Sequence, residues 1–157
     1  MKIVVVAVGR LKAEYARLGS SMFFQRAQRV FPCQVIETRD VHRRRGGGAD
    51  QWRAREADLL LGAVPAGATI VALDERGHAW TSREFAQWLT VRRDGGVRSV
   101  AFLIGGPDGL HPRVRERAHH VWSLGALTLP HELAQLVLSE QIYRASTLVS
   151  GAPYHRD

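Results

Sequence analysis

Two stretches of this chain, Ile3-Val4-Val5-Val6-Ala7-Val8 and Val100-Ala101-Phe102-Leu103-Ile104, are apolar at every position. A strand with one wet face alternates apolar and polar residues. A run without alternation belongs to a strand covered on both faces, which is the condition of a parallel sheet with helices above and below it. The remaining segments fit that frame. Residues 14–31 have helical spacing, with Tyr15, Leu18, Met22 and Ala27 toward one side, and a second strand over 34–38 follows Pro32. A helix capped by Asp50 runs to about Ala63, a strand covers 69–73, and Asp74-Glu75-Arg76-Gly77 reads as a turn. Thr81 with Glu84 three residues later is a capping box for a helix through Leu89. Pro112 suits the start of a helix to about Val121, residues 123–128 read as a fifth strand, and Pro130 opens a helix to about Val149. Strands alternating with helices predict an α/β domain: a parallel sheet with helices on both faces.

At 157 residues the chain suffices for one domain that buries roughly 70% of the surface its unfolded form exposes. No linker or low-complexity run divides it, so residues 1–157 are expected to form a single unit. Met1-Lys2 leads straight into the first strand, with no secretory pattern and no apolar stretch long enough to span a membrane. Cys33 is the only cysteine; it excludes an internal disulfide, reads as a packing residue, and fits a reducing cytoplasm. The formal charge is +7, and all but two of the 22 basic residues are arginine. That balance suits a phosphate-rich partner, and equally suits a GC-rich coding sequence.

In doubly wound sheets ligands sit beyond the carboxyl ends of the strands. Leu73, Gly105 and Thr128 are therefore expected near one another. Gly105-Gly106-Pro107-Asp108-Gly109 lacks the spacing of a dinucleotide fingerprint, and by itself reads equally as a turn. Its glycines permit positive φ and close approach of backbone to a ligand. Gly125 and Ala126 are small enough for a flat ring to lie against the backbone of the last strand. Arg43-Arg44-Arg45-Gly46-Gly47-Gly48 is a basic loop, either simply solvated or an arm that contacts phosphates. No Walker lysine follows it, so it is not a P-loop.

The helix after Pro130 sets Leu133, Leu136, Val137, Glu140, Tyr143 and Arg144 at helical spacings. Its apolar members read as core or as a dimer face, and a buried Arg144 must find a carboxylate or a phosphate. His111, His119 and His120 do not converge on one helical face, and Arg113, Arg115 and Arg117 surround them, so no metal site is expected. Tyr154-His155-Arg156 is either a frayed basic tail or a reactive group: an imidazole that relays a proton, a guanidinium that grips an anionic oxygen, and a phenol that stacks on a base.

Taken together, Ala7-Val8-Gly9, Leu73-Asp74, Leu103-Ile104-Gly105-Gly106-Pro107-Asp108-Gly109, Leu127-Thr128-Leu129-Pro130-His131, Glu140-Gln141-Ile142-Tyr143-Arg144-Ala145 and Tyr154-His155-Arg156 resemble the RlmH family of SPOUT methyltransferases over essentially the whole chain. The resemblance implies a deep trefoil knot in the carboxyl-terminal part, a homodimer, S-adenosyl-L-methionine as cofactor, and methylation of N3 of a pseudouridine in 23S ribosomal RNA on assembled 70S ribosomes. It implies a cofactor pocket lined by Leu73, Gly105, Leu124, Gly125, Ala126, Leu127, Thr128 and Leu129, and a methyl-transfer site at Tyr154, His155 and Arg156 that acts with the other subunit. Arg144 and the Arg43, Arg44, Arg45 loop are the expected RNA contacts. The chain departs from the family pattern at Gly125, where a small polar residue is usual, at Glu56-Ala57, where Glu-Gly is usual, and in the arginines of its basic loop.

Under that reading His155 relays the proton of the ring nitrogen and Arg156 steadies the anionic ring. Three other readings stay open from the sequence: a SPOUT enzyme for transfer RNA, a ribosome-binding factor without catalysis, and a flavodoxin-like nucleotide binder.

Overall fold

The computed structural model describes residues 1–41 and 48–154. Its centre is a five-stranded, all-parallel sheet in the order β2-β1-β4-β3-β5. The strands are β1 (Lys2–Val8), β2 (Cys33–Thr38), β3 (Thr69–Ala79), β4 (Ser99–Ile104) and β5 (His120–Ser123). The helices are α1 (Glu14–Ala27), α2 (Ala49–Gly62), α3 (Ser82–Asp94), α4 (Pro112–Arg117) and α5 (His131–Ser150).

The two unbroken apolar runs pair with each other, Val4 beside Ala101 and Val6 beside Leu103. Successive side chains of a strand point to opposite faces, so each run feeds two cores. Ile3, Val5, Val100 and Phe102 point to the face covered by α1, α3 and α5, where they meet Phe24, Phe85, Leu138 and Ile142. Val4, Val6, Ala101 and Leu103 point to the face covered by α2 and α4, where they meet Leu60 and Val114. Burial at this level contributes roughly 1.5–3 kcal/mol for each large side chain, and it explains why neither run has a polar position.

The structure revises several boundaries. α1 stops at Ala27, four residues short of Phe31, and the second strand begins at Cys33. Gly48 rather than Asp50 occupies the N-cap of α2; Asp50 lies in the first turn and pairs with Arg53 at 3.0 Å. The capping box is present as read, with the Thr81 hydroxyl accepting from the Glu84 N–H and the Glu84 carboxylate accepting from the Thr81 N–H. α3 then continues to Asp94. α4 ends at Arg117, and β5 occupies 120–123 instead of 123–128. The Asp74-Glu75-Arg76-Gly77 stretch is not a plain turn, because β3 resumes after it. Leu73 pairs with Trp122, the register shifts, and His78 and Ala79 pair with Trp122 and Ser123.

Two helix faces also differ from expectation. On α1 the buried positions are Ala16, Ser20, Phe24 and Ala27, whereas Tyr15 (59%), Leu18 (54%) and Met22 (39%) are exposed. On α5 the fully buried stripe includes Leu138, Ile142 and Ala145, and the 133–136–137–140–143–144 stripe is only half buried. The cause is the close approach of α1 and α5. A Cβ on Gly19 would lie 2.7 Å from Leu136 Cδ1, and the Phe23 ring lies 5.9 Å from that of Tyr143, so the half-buried α5 stripe packs along α1. The expected basic arm at Arg43, Arg44 and Arg45 lies outside the described residues.

Candidate active site

The carboxyl ends of β3, β4 and β5 open onto a cavity of about 730 Å³. One wall is the end of β3 with its excursion, Leu73 to Arg76. The floor is Ile104 and the glycine loop to Leu110. The opposite wall is Trp122 through Pro130, and His131 and Ala134 of α5 and Arg53 of α2 close the ends. Leu73, Gly105 and Thr128 do meet here, as the switch-point argument requires. Of the residues expected to hold a cofactor, Leu124, Gly125, Leu127 and Leu129 join them in the wall, and Ala126 does not.

Backbone geometry shapes this wall. Gly109 has φ +78° and donates its N–H to the Gly106 carbonyl, folding the loop tightly back on itself. A Cβ on Gly105 would stand 2.8 Å from the Gly109 carbonyl carbon, so the peptide faces the cavity bare. Gly125 adopts φ +143°, a conformation that a serine would resist. The Ser123 hydroxyl, two residues earlier at the end of β5, instead donates to the Gly125 carbonyl at 2.8 Å. Thr128 donates to Glu75 at 3.3 Å and ties the two walls together at the rim. The first turn of α5 is anchored by Glu132, which accepts from the backbone N–H groups of Lys12 and Ala13. Those bonds, that of Lys12 first, hold the Glu132 carboxyl below the usual range.

Sequence reasoning named none of the charged lining residues as site residues: Arg53, Asp74, Glu75, Arg76, Asp108 and His131. Asp74, Asp108 and His131 stand in the quoted motifs, whereas Arg53, Glu75 and Arg76 sit in ordinary polar stretches and are brought to the cavity by the fold. The wall as a whole offers leucines and a tryptophan to a flat apolar group, bare peptide to a hydrogen-bonding edge, and both signs of charge to a zwitterionic end.

A second polar cluster lies farther along α5. Arg144 donates through Nε and Nη2 to one oxygen of Glu140, at 3.0 and 2.6 Å. The Tyr154 hydroxyl donates to the same oxygen at 3.3 Å. The Tyr154 ring lies 4.5 Å from that of Tyr143, with the Arg144 guanidinium 5.1 Å from its centre. Arg144 thus has the carboxylate its position demands. Burial, and then the Glu140 charge, push the Tyr154 phenol above its usual value, so it is a proton donor at neutral pH. At ~1.5 Å per residue, Arg144 is roughly 15 Å along the helix axis from Ala134, the last α5 residue in the cavity wall. The structure therefore does not bring Tyr154 and Arg144 to the cavity of their own chain. His155 and Arg156 lie outside the described residues.

The three histidines near α4 have separate tasks. His111 caps α4 through a bond from the Arg113 N–H, His119 accepts from the Ile70 N–H, and His120 contacts Arg92 at 2.9 Å. Among the described residues no group of three side chains could hold a metal ion, and no helix is long and apolar enough to cross a membrane. Cys33 donates to the Phe31 carbonyl, and burial pushes its thiol up to about 12, which removes it as a nucleophile.

A protein-family model described as "Predicted SPOUT methyltransferase" matches residues 1–155. The chain is 42% identical over 156 residues to a protein of Nitrosococcus oceani named ribosomal RNA large subunit methyltransferase H, covering 99% of each. It is 45% identical over 162 residues to a protein of the same name from Dinoroseobacter shibae, again covering 99% of each. Among solved structures it is similar in fold to a probable methylase family protein of Haemophilus influenzae, with a TM-score of 0.57 at 13% identity over 99% of this chain and 70% of that one. A probable methyltransferase of Bordetella pertussis gives a TM-score of 0.56 at 17% identity, covering 92% and 95%.

Proposed function

Because the chain belongs to the SPOUT methyltransferase family, we propose that it methylates N3 of a pseudouridine in 23S ribosomal RNA within the assembled 70S ribosome, with S-adenosyl-L-methionine as methyl donor. The observation that carries this reading is the cavity at the carboxyl ends of β3, β4 and β5, combined with full-length likeness to relatives named for large-subunit ribosomal RNA. The reading takes residues 1–157 as one domain with a carboxyl-terminal trefoil knot, working in the cytoplasm where ribosomes are.

The cavity fits the donor. Its volume lies within the roughly 300–1,000 Å³ of small-molecule sites, and Gly105, Gly106 and Gly109 line it with backbone that carries no side chain. Leu73, Leu124 and Leu129 would hold an adenine ring, and Glu75 and Arg53 would face the ammonium and carboxylate of the methionyl end. When bound, the donor supplies an electrophilic methyl group on a sulfonium. The protein's work is to align the ring nitrogen with it, which can lower the barrier by about 7–11 kcal/mol, and to remove the nitrogen's proton. We assign the proton relay to His155 and the steadying of the anionic ring to Arg156, with Arg43, Arg44, Arg45 and Arg144 on the RNA phosphates.

The separation between the Tyr154 cluster and the cavity supports a tail that serves the cavity of a second copy. The exposed Tyr15, Leu18 and Met22 form one stripe of α1 that a homodimer would cover. The test is transfer of labelled methyl from S-adenosylmethionine to 70S ribosomes and to free 50S subunits, with the product mapped by mass spectrometry. Label on N3 of a pseudouridine, with 70S alone, is the expected result. Label on another base or on transfer RNA overturns the substrate assignment, and cofactor binding without label on any RNA overturns catalysis.

A further inference from the structure

We infer that Arg115, which is not part of the cavity wall, is the positioning residue that sets the spacing between the two loops of the cofactor cavity. One nitrogen of its guanidinium, Nη1, donates to the Leu110 carbonyl at 2.8 Å and to Asp74 Oδ2 at 3.0 Å. Leu110 ends the glycine loop, and Asp74 begins the β3 excursion; both line the cavity. The pair is well removed from water, with side-chain exposures of 20% for Arg115 and 8% for Asp74.

The staple extends on both sides. The other oxygen of Asp74 accepts the Arg76 N–H at 3.0 Å, so the same carboxylate orders the excursion. Leu110 follows Gly109, whose carbonyl presses on Gly105. A shift of the Leu110 carbonyl therefore reaches the bare peptide of the floor through one intervening residue. A permanently charged nitrogen with more than one N–H suits this bridging task, because it can donate to a carbonyl and a carboxylate at once. Arg113, two residues away on α4, makes an equivalent pair with Asp58 and the Ala54 carbonyl of α2, on neither loop.

This inference rests on the S-adenosylmethionine reading of the cavity. Its test compares Arg115→Met with Arg113→Met for donor affinity by calorimetry, melting temperature, and KM against kcat in methyl transfer. Both variants lose stability. Arg115→Met is expected to bind the donor at least about tenfold more weakly, with KM rising in parallel and kcat at saturating donor within about threefold of the parent. Arg113→Met is expected to stay within about twofold in donor affinity. If Arg115→Met does not fold, Arg115→Gln, which keeps a shorter polar side chain and loses the charge, takes its place with the same direction expected. Equal donor affinities for the Arg115 and Arg113 variants overturn the inference. A parent protein that binds no S-adenosylmethionine overturns the cofactor reading instead.

Discussion

The carbonyl carbon of Gly109 stands 2.8 Å from the point where a side chain on Gly105 would begin. No rotamer relieves that contact, because the obstacle is backbone on both sides. Gly105→Ala is therefore expected to push the glycine loop into the cavity and to raise the dissociation constant for S-adenosylmethionine by about a hundredfold. Calorimetric titration of the folded variant checks this, and a change under threefold would place the ligand elsewhere.

His155→Ala should lower kcat by about 10²–10⁴-fold and leave donor affinity near that of the parent. Tyr154→Phe, which removes only the bond to Glu140 at 3.3 Å, should cost about fivefold in kcat. Single-turnover methylation of ribosomes separates these effects from binding. Equal collapse of cofactor binding in His155→Ala would make the imidazole a binding group.

Leu18 is already half exposed to water, so Leu18→Glu should leave the melting temperature of a single copy nearly unchanged. In a dimer joined through that stripe the same change buries a carboxylate against apolar surface. Sedimentation velocity is expected to show a shift from dimer to monomer at micromolar concentration, with loss of methyl transfer. A variant that remains dimeric moves the interface to another face.

His120 links pH to stability. Burial first, and then the charge of Arg92, depress its pKa, and its ring nitrogen accepts from Arg92 at 2.9 Å while neutral. The unfolded chain then takes up a proton before the folded one does. The stabilisation is complete above the ordinary histidine value of about 6.5 and is lost as pH falls through it toward the folded value. Urea midpoints measured from pH 7.5 to 5.5 should fall for the parent, and the slope should flatten in His120→Gln, which retains an acceptor for Arg92.

Much of the fold was legible because burial on two faces leaves a direct mark: β1 and β4 contain no polar break, and the capping box at Thr81 and Glu84 is a local pattern with a local cause. The site was legible only in part. Leu124, Leu127 and Leu129 wall a cavity, and a cavity wall and a buried strand draw on the same amino acids. Leu127, 79% exposed, is the residue that distinguishes them, and its exposure is invisible in one dimension. The Asp74–Gly77 stretch has the composition of a turn. Only pairing with β5 turns it into a strand that leaves and returns, with Gly77 so close to β5 that a Cβ would meet the Val121 backbone at 2.6 Å. Tyr15, Leu18 and Met22 look like a core stripe, because a surface awaiting a partner has the pattern of one. Arg115 looked like simple repulsion for a cation, since its carboxylate partner lies 41 residues away.

The cavity takes its wall from residues as distant in sequence as Arg53 and Ala134. A chain still being synthesised thus has an incomplete cavity until the first turn of α5 has been made. Bound ligand adds about 2.7 kcal/mol to native stability at a hundredfold excess over its dissociation constant, and a partial chain receives none of it. With the donor proposed above, saturation is therefore expected to protect the finished chain from proteolysis and to leave a fragment ending before α5 unprotected.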